Sequence, residues 1–393
     1  MMKERFGTTK ICRRLIIVLT TFFCIGNSIY AKAPTWSQID SIVTDAIKQK
    51  AFPGCQVFVL KDGKAIYDNC FGNLTYDKGY PVTSFTIYDL ASLSKTSGTL
   101  LAIMKLYDEG KLKLTDKASS YLHFFKNTNK ENITITDLLF HETGLPPYVS
   151  LGKKPVYFEQ AEINRLSMQT IARLPLKDNT YVYSCINFML LKEVVETITQ
   201  QSMDIYLNNS FYVPMGLNST SYLPLNTHQI EQIAPTLRKE SFQNGILQGL
   251  VHDPLAAYVG GVSGNAGLFS TAHEVAAIHQ MILDNGVFKS NRYLSAETCQ
   301  LFTTRTSASG RRGLGYDKPT PSKPTTNLCS PLAPTSVFGH TGYTGTCCWV
   351  DPENKLIYVF LSNRTFPDDS VNKLARLSIR PKIQEVIYKM IKK

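Results

Sequence analysis

Ser92 and Lys95 lie three residues apart in the run Asp89-Leu-Ala-Ser-Leu-Ser-Lys-Thr96, a spacing that puts both side chains on one face of a helix. A serine hydroxyl barely ionises and needs an adjacent base before it can attack a carbonyl. A lysine desolvated against the protein loses part of its preference for the ammonium form, and a helix N-terminus favours negative charge growing on the hydroxyl. The tetrad thus predicts a nucleophilic Ser92, with Lys95 as proton partner, opening a helix from 92 to about 110. Taken alone, Ser-x-x-Lys equally describes a capped, solvated helix start. The rest of the chain has to decide.

Two further segments follow downstream, Tyr183-Ser-Cys-Ile-Asn-Phe188 and Phe338-Gly-His-Thr-Gly-Tyr-Thr-Gly-Thr346. In this order the three elements resemble the serine β-lactamase and penicillin-binding-protein superfamily, specifically its class C β-lactamase and DD-peptidase branch. Flanking text is similar too: Phe52-Pro-Gly-Cys-Gln-Val, Leu138-Leu-Phe-His-Glu-Thr-Gly-Leu-Pro146, Gly267-Leu-Phe-Ser-Thr271 and Leu361-Ser-Asn-Arg364. The resemblance spans Trp36 to the C-terminus. It implies that Ser92 attacks a carbonyl carbon, that Lys95 helps carry its proton, and that Tyr183, rather than its rival Tyr181, is the second member of the relay. It also implies that His340, Thr341 and Gly342 begin an edge strand beside the substrate, with Gly342 letting the substrate approach the backbone. The backbone amides of Ser92 and Tyr343 would form an oxyanion hole, each such donor being worth about 2.7–4 kcal/mol.

Cys185 is the departure from this pattern, because the family often has Asn as the third residue of Tyr-x-Asn. A carboxamide donates to and accepts from a substrate amide, whereas a thiol does either weakly. Its presence gives weight to ester substrates over acylamido ones. His273 and His279 stand six apart, not the four that places two zinc ligands on one helix face, and are expected in surface or capping roles. His141 and His252 are expected to support loops. No metal and no cofactor is implied.

Several elements must position these residues. Trp36–Lys50 has helical periodicity, Gln56–Leu60 and Lys64–Phe71 read as a hairpin, and Ile135–Phe140, Tyr157–Ala172, Asn187–Thr199, Met203–Leu207 and Ala272–Asn285 read as helices. Ser307–Pro334 is rich in Pro, Gly and Ser and reads as a surface loop or lid. Tyr343–Val350 and Lys355–Leu361 read as a second hairpin, and Val371–Ile391 as a closing helix interrupted at Pro381. The expected fold class is α+β, with an antiparallel sheet from both chain ends flanked by terminal helices and a mostly helical insert. The arrangement, implied by the resemblance, has its sheet part at about 34–91 and 336–393 and the insert at about 92–335.

The N-terminus carries five Lys/Arg and one Glu within residues 1–31, then the apolar run Leu15–Ile25, then Ala31-Lys-Ala33. That is the layout of a secretory signal, cleaved after Ala31 or Ala33; an uncleaved anchor is disfavoured because the apolar run is short. The net charge of +11 falls to about +7 without the signal. No basic block interleaves with aromatics, so nucleic acid is not an expected partner. Peripheral association with an anionic cell envelope is compatible with this charge, and the oligomeric state is left open. Seven cysteines remain beyond the signal, an odd number that argues against a disulfide scaffold. Cys55 and Cys70 face each other only if their hairpin carries no bulge. The expected protein is an exported, periplasmic or secreted serine hydrolase that forms an acyl-enzyme on Ser92. Its expected substrate is a peptidoglycan D-Ala-D-Ala stem or related amide, then a small ester, then a β-lactam, with an idle peptide-binding protein as the reading from another class.

Overall fold

Five segments rich in β-branched and aromatic residues pair into one antiparallel sheet in the computed structural model, which describes residues 35–392 apart from 78, 156, 178–180, 243–244, 309 and 321–327. In chain order the principal elements are α1 (Ser37–Lys48), β1 (Gly54–Lys61), β2 (Lys64–Gly72), α2 (Leu100–Asp108), α3 (Ile135–Phe140), α4 (Gln160–Ala172), α5 (Cys185–Thr199), α6 (Met203–Leu207) and α7 (Pro254–Tyr258). They continue with α8 (Ala272–Leu283), α9 (Ala296–Thr304), β3 (Phe338–Gly342), β4 (Thr346–Asp351), β5 (Leu356–Ser362), α10 (Lys373–Arg376) and α11 (Ile379–Ile391). The sheet order is β3-β4-β5-β1-β2, so strands from both chain ends meet at the β5–β1 pair.

Alternation along the central strands divides the core in two. Val57, Val59, Trp349, Tyr358 and Phe360 face α1 and α11, meeting Ile39, Val43, Ile383 and Ile387. Cys348, Val350, Ile357 and Val359 face the helical part, whose cluster includes Leu100, Leu101, Leu138, Phe188 and Leu191. Strands buried on both faces read as near-continuous apolar runs, as Leu356–Ser362 does.

Several local expectations need correction. Strand β1 pairs with β2 through an irregularity between Val59 and Leu60, so Cys55 lies opposite Phe71 and Cys70 opposite Gln56. Both thiols are free. His340-Thr341-Gly342 ends the edge strand instead of beginning it, since Tyr343–Gly345 turns back with Gly345 at φ +105°, a conformation suited to glycine. The closing helix breaks at Leu377–Ser378, where Ser378 takes φ +52°. Pro381 is the third residue of α11, where its missing N–H falls among donors that have no intrahelical partner anyway. The Ser307–Pro334 segment is not surface throughout: residues 312–319 are buried, and Asp317 exchanges backbone hydrogen bonds with Gly339 of β3. Those bonds explain the burial, because they satisfy the segment's polar backbone in the interior. The secretory signal lies outside the described residues. No helix among the described residues is long and apolar enough to cross a membrane.

Candidate active site

The segment bearing Ser92 is not the start of a regular helix. Residues Ala91–Leu93 form a 3₁₀ turn, Lys95–Thr99 a π turn, and α-helix begins only at Leu100. Ala91 sits at φ +48°, a left-handed conformation that costs a non-glycine residue energy and must be held by its surroundings. Asp89 supplies part of that hold: one carboxylate oxygen accepts from Ala91 N at 2.8 Å and the other from His252 N at 2.7 Å. Burial raises the Asp89 pKa to about 6 against the lowering effect of these bonds. Thr344 and Thr346 donate to Asp89 O and Leu90 O at 2.7 and 2.9 Å, tying the β3–β4 connection to the same turn. Gly342 has a packing reason for its identity. A Cβ there would collide with Leu90 O and Thr346 Oγ1, so the glycine is required by the approach of β3 to the Ser92 turn, whatever the substrate does.

Lys95 Nζ reaches Ser92 Oγ at 3.0 Å, Asn265 O at 2.8 Å and Cys185 Sγ at 3.9 Å. The Tyr183 hydroxyl interacts with both Ser92 and Lys95, and the ammonium lies 5.2 Å from the Tyr183 ring centre. Burial pulls the Lys95 pKa down, but Cys185, Tyr183 and the more distant Asp253 outweigh it and hold the group above its ordinary range. The expected weakening of the ammonium by desolvation is therefore overcome by its neighbours. Tyr183 shows the opposite contest. Burial raises its pKa, Lys95 lowers it, and burial prevails.

Tyr183 precedes α5 and is held from below by His141, which caps α3 in a left-handed conformation. His141 Nδ1 accepts from Ser184 N at 3.1 Å, and its ring lies 4.7 Å from that of Tyr183. Burial, then the cations Arg312 and Lys95, keep His141 neutral, consistent with the accepting Nδ1. Asn187 Nδ2 also reaches this nitrogen at 3.3 Å, while Thr143 donates to Asn187 Oδ1 at 2.9 Å. Asn187 thus serves the scaffold. Cys185, the first residue of α5, faces Lys95, with its own N–H on Pro147 O at 3.0 Å.

His340 stands beyond Tyr183, the rings 5.9 Å apart. Its Nδ1–H donates to Thr341 O at 2.7 Å, and burial pushes its pKa down to about 3, Arg312 and Lys95 adding to the effect and Asp317 opposing it. A neutral ring therefore faces the pocket at this end of β3. Behind it Asp317 pairs with Arg312 and with Arg311 at 2.9 Å. The Arg312 guanidinium sits 5.7 Å from the Tyr183 ring centre.

Ser92, Tyr183, His340, Thr341, Gly342 and Tyr343 border one cavity of about 330 Å³, together with Arg311, Arg364 and Arg380. Tyr343 is 54% exposed. Its hydroxyl donates to Asp369 at 3.0 Å, its carbonyl accepts from Arg364 Nε at 2.7 Å, and the Arg364 guanidinium lies 4.3 Å from its ring centre. Arg380 donates to Thr346 O at 2.7 Å. Among the described residues neither Arg364 nor Arg380 forms an ion pair, whereas Arg311 does. The sequence reading missed Asp89, Asn265, Arg312, Asp317, Arg364 and Arg380. Arg364 stands inside a phrase already recognised, and Arg312 and Asp317 were hidden in a segment whose composition suggested a surface loop. Outside the site, His273 bonds Asp68 at 2.8 Å on the surface, but His279 is fully buried and holds Val275 O at 2.9 Å, contrary to the surface or capping role expected of it. Among the described residues no group of three or more His, Cys, Asp and Glu side chains could hold a metal ion.

The β-lactamase family model matches residues 39–380. A putative D-alanyl-D-alanine carboxypeptidase of Escherichia coli O157:H7 is 33% identical over 359 residues, covering 84% of this chain and 82% of the relative. An N-acetylmuramyl-L-alanine amidase of Bacillus subtilis (strain 168) is 32% identical over 347 residues, covering 80% and 77%. Among solved structures, EstCE1, a hydrolase with promiscuous acyltransferase activity, superposes with a TM-score of 0.70 at 19% identity, covering 90% of this chain and 98% of its own. A class C β-lactamase gives 0.68 at 19% identity, covering 89% and 98%; these two likenesses concern the fold. With the matched family model spanning nearly all of the described chain and a relative at one-third identity over four-fifths of its length, this protein belongs to the β-lactamase family.

Proposed function

We propose that this chain is an exported serine hydrolase that forms an acyl-enzyme on Ser92, acting on a peptide that ends in D-Ala-D-Ala. The observation that carries the reading is the contact set around one hydroxyl: Ser92 Oγ 3.0 Å from an ammonium that is itself anchored on Asn265 O, with the Tyr183 phenol against both. In the proposed relay Tyr183, and not a neutral lysine, takes the serine proton, since the neighbours of Lys95 hold it above its ordinary range. As Ser92 Oγ bonds to the substrate carbonyl carbon, its proton passes to the Tyr183 oxygen and the phenol's own proton passes to the leaving nitrogen. The Lys95 charge stabilises the tyrosine oxygen throughout. The C–N bond breaks and an amine departs. Water then attacks the ester, and the reverse relay returns a proton to Ser92. The amides of Ser92 and Tyr343 are the proposed donors to the oxyanion, and Thr341 the proposed hydroxyl partner of a substrate oxygen.

Arg364 and Arg380 support a substrate with a carboxylate, since each lines the cavity without an acidic partner among the described residues. The name of the Escherichia coli relative points the same way. Peripheral association with the cell envelope would bring the enzyme to this substrate. One observation favours a second reading, hydrolysis of a small ester: Cys185 offers Lys95 only a sulfur at 3.9 Å and gives an acylamido group a poor partner. Assaying the exported protein against a D-Ala-D-Ala peptide and a p-nitrophenyl ester tests the choice, with fluorescent penicillin labelling of Ser92 as the check on the nucleophile. Arg380→Gln should lower kcat/KM on the peptide roughly ten- to hundredfold, the value of a hydrogen bond to a charged group, and leave the neutral ester within about twofold. Peptide turnover that is indifferent to Arg380, or no labelling of Ser92 by either penicillin or a fluorophosphonate, would refute the respective parts.

A further inference from the structure

A second cavity, of about 690 Å³, lies between α8, α9 and the start of β3, and shares no lining residue with the cavity at Ser92. Ile282, Pro319 and Phe338 form apolar wall, and Thr303, Ser336 and Lys318 contribute polar groups. Lys318 is 5% exposed. Its ammonium donates to Thr303 O at 3.0 Å and Ser336 O at 3.2 Å and stands 5.9 Å from the Phe338 ring centre. Two neutral carbonyls thus take two of its three N–H groups, and no carboxylate pairs with it among the described residues. Lys192, also buried, is by contrast neutralised by Glu193 and Glu196. Buried ammonium groups without a counter-charge are costly, and burial alone pulls the Lys318 pKa down to about 8.

The position of this lysine connects it to the catalytic pocket. Asp317, its neighbour, exchanges backbone hydrogen bonds of 2.8 and 3.1 Å with Gly339, the residue before His340. The Asp317 side chain holds Arg312, which stands beside the Tyr183 ring. We propose that the cavity at Lys318 is a second ligand site, taking a small organic carboxylate whose charged end meets the ammonium and whose apolar body lies on Ile282 and Phe338, and that its occupancy is transmitted through Asp317 to Tyr183 and His340. The carboxylate supplies the missing charge. Drawing Lys318 toward the cavity shifts residue 317, and with it the ion pair and the strand bonds on which the two catalytic-pocket rings rest.

Benzoate is a suitable probe, with chloride at equal ionic strength as control and inorganic phosphate as a test of whether the apolar body is needed. Reductive methylation read lysine by lysine by mass spectrometry should show Lys318 protected several-fold by benzoate, Lys95 unprotected, and phosphate weaker than benzoate. By titration calorimetry Lys318→Met should weaken benzoate about tenfold or more, the value of one hydrogen bond to a charged group, while Lys318→Arg retains binding. If the methionine variant does not fold, the methylation result on the unmodified chain decides. Saturating benzoate should also change kcat on a p-nitrophenyl ester. An unchanged Lys318 methylation rate, or equal affinity in Lys318→Met, would overturn the site. Simple competition with substrate at constant kcat would overturn the coupling.

Discussion

Replacing Cys185 by Asn tests how the pocket treats an amide. The backbone at 185 is fixed by its N–H on Pro147 O and by the start of α5, and the residues are similar in size, so the exchange alters little beyond the side chain's polarity. In the present chain the sulfur is a weak acceptor 3.9 Å from Lys95 Nζ. A carboxamide oxygen could take that N–H fully, leaving the amide NH₂ for a substrate carbonyl. One added hydrogen bond between neutral groups is worth about 0.5–1.5 kcal/mol, which corresponds to roughly two- to tenfold in kcat/KM. The gain should appear on a D-Ala-D-Ala peptide or a β-lactam with an acylamido side chain and not on a simple p-nitrophenyl ester, because only the former present an amide. Parallel steady-state assays of both substrates on both proteins give the answer. Equal effects on the two classes would refute the reasoning and assign position 185 to the Lys95–Tyr183 machinery. A loss on both would mean that the pocket is built around the thiol.

Ser92→Ala should abolish turnover and covalent penicillin labelling while thermal unfolding stays close to that of the parent; near-normal turnover would end the nucleophile assignment. Lys95→Ala should be almost as severe, and the double variant no slower than the worse single one, because groups acting as a unit are not additive. Gly342→Ala should cost about 1–3 kcal/mol in chemical denaturation and slow hydrolysis of every substrate, since a methyl group there meets backbone at Leu90; an unperturbed variant would return that glycine to a role in substrate approach alone. Asp89 has a folded pKa of about 6, above its ordinary 3.8, so its protonation favours the fold below pH 4 and that contribution is lost as pH rises through about 6. The stability of the parent relative to Asp89→Asn should therefore fall by up to ~3 kcal/mol between pH 4 and 7, and a difference independent of pH would contradict the shift.

The chain's own text determined the elements whose residues report on one face at a time. Apolar spacing located α1, α3, α5 and the two hairpins within a few residues, because burial of a stripe leaves a period that neighbours in sequence share. The order of Ser92-x-x-Lys95, Tyr183 and His340-Thr341-Gly342 was legible for a different reason: together these segments resemble the β-lactamase family, whose model matches residues 39–380. What only the tertiary structure decided are the balances between distant groups. The direction in which Lys95 shifts is a contest between its burial and Cys185, Tyr183 and Asp253, all far along the chain. Gly342 is a glycine because Leu90 lies against it. The Arg312–Asp317 pair was invisible in a segment of loop-like composition, since composition records solubility of a stretch and not the strand edge that receives it. Charge in a protein interior depends on what stands within a few ångströms, and sequence distance carries no information about that.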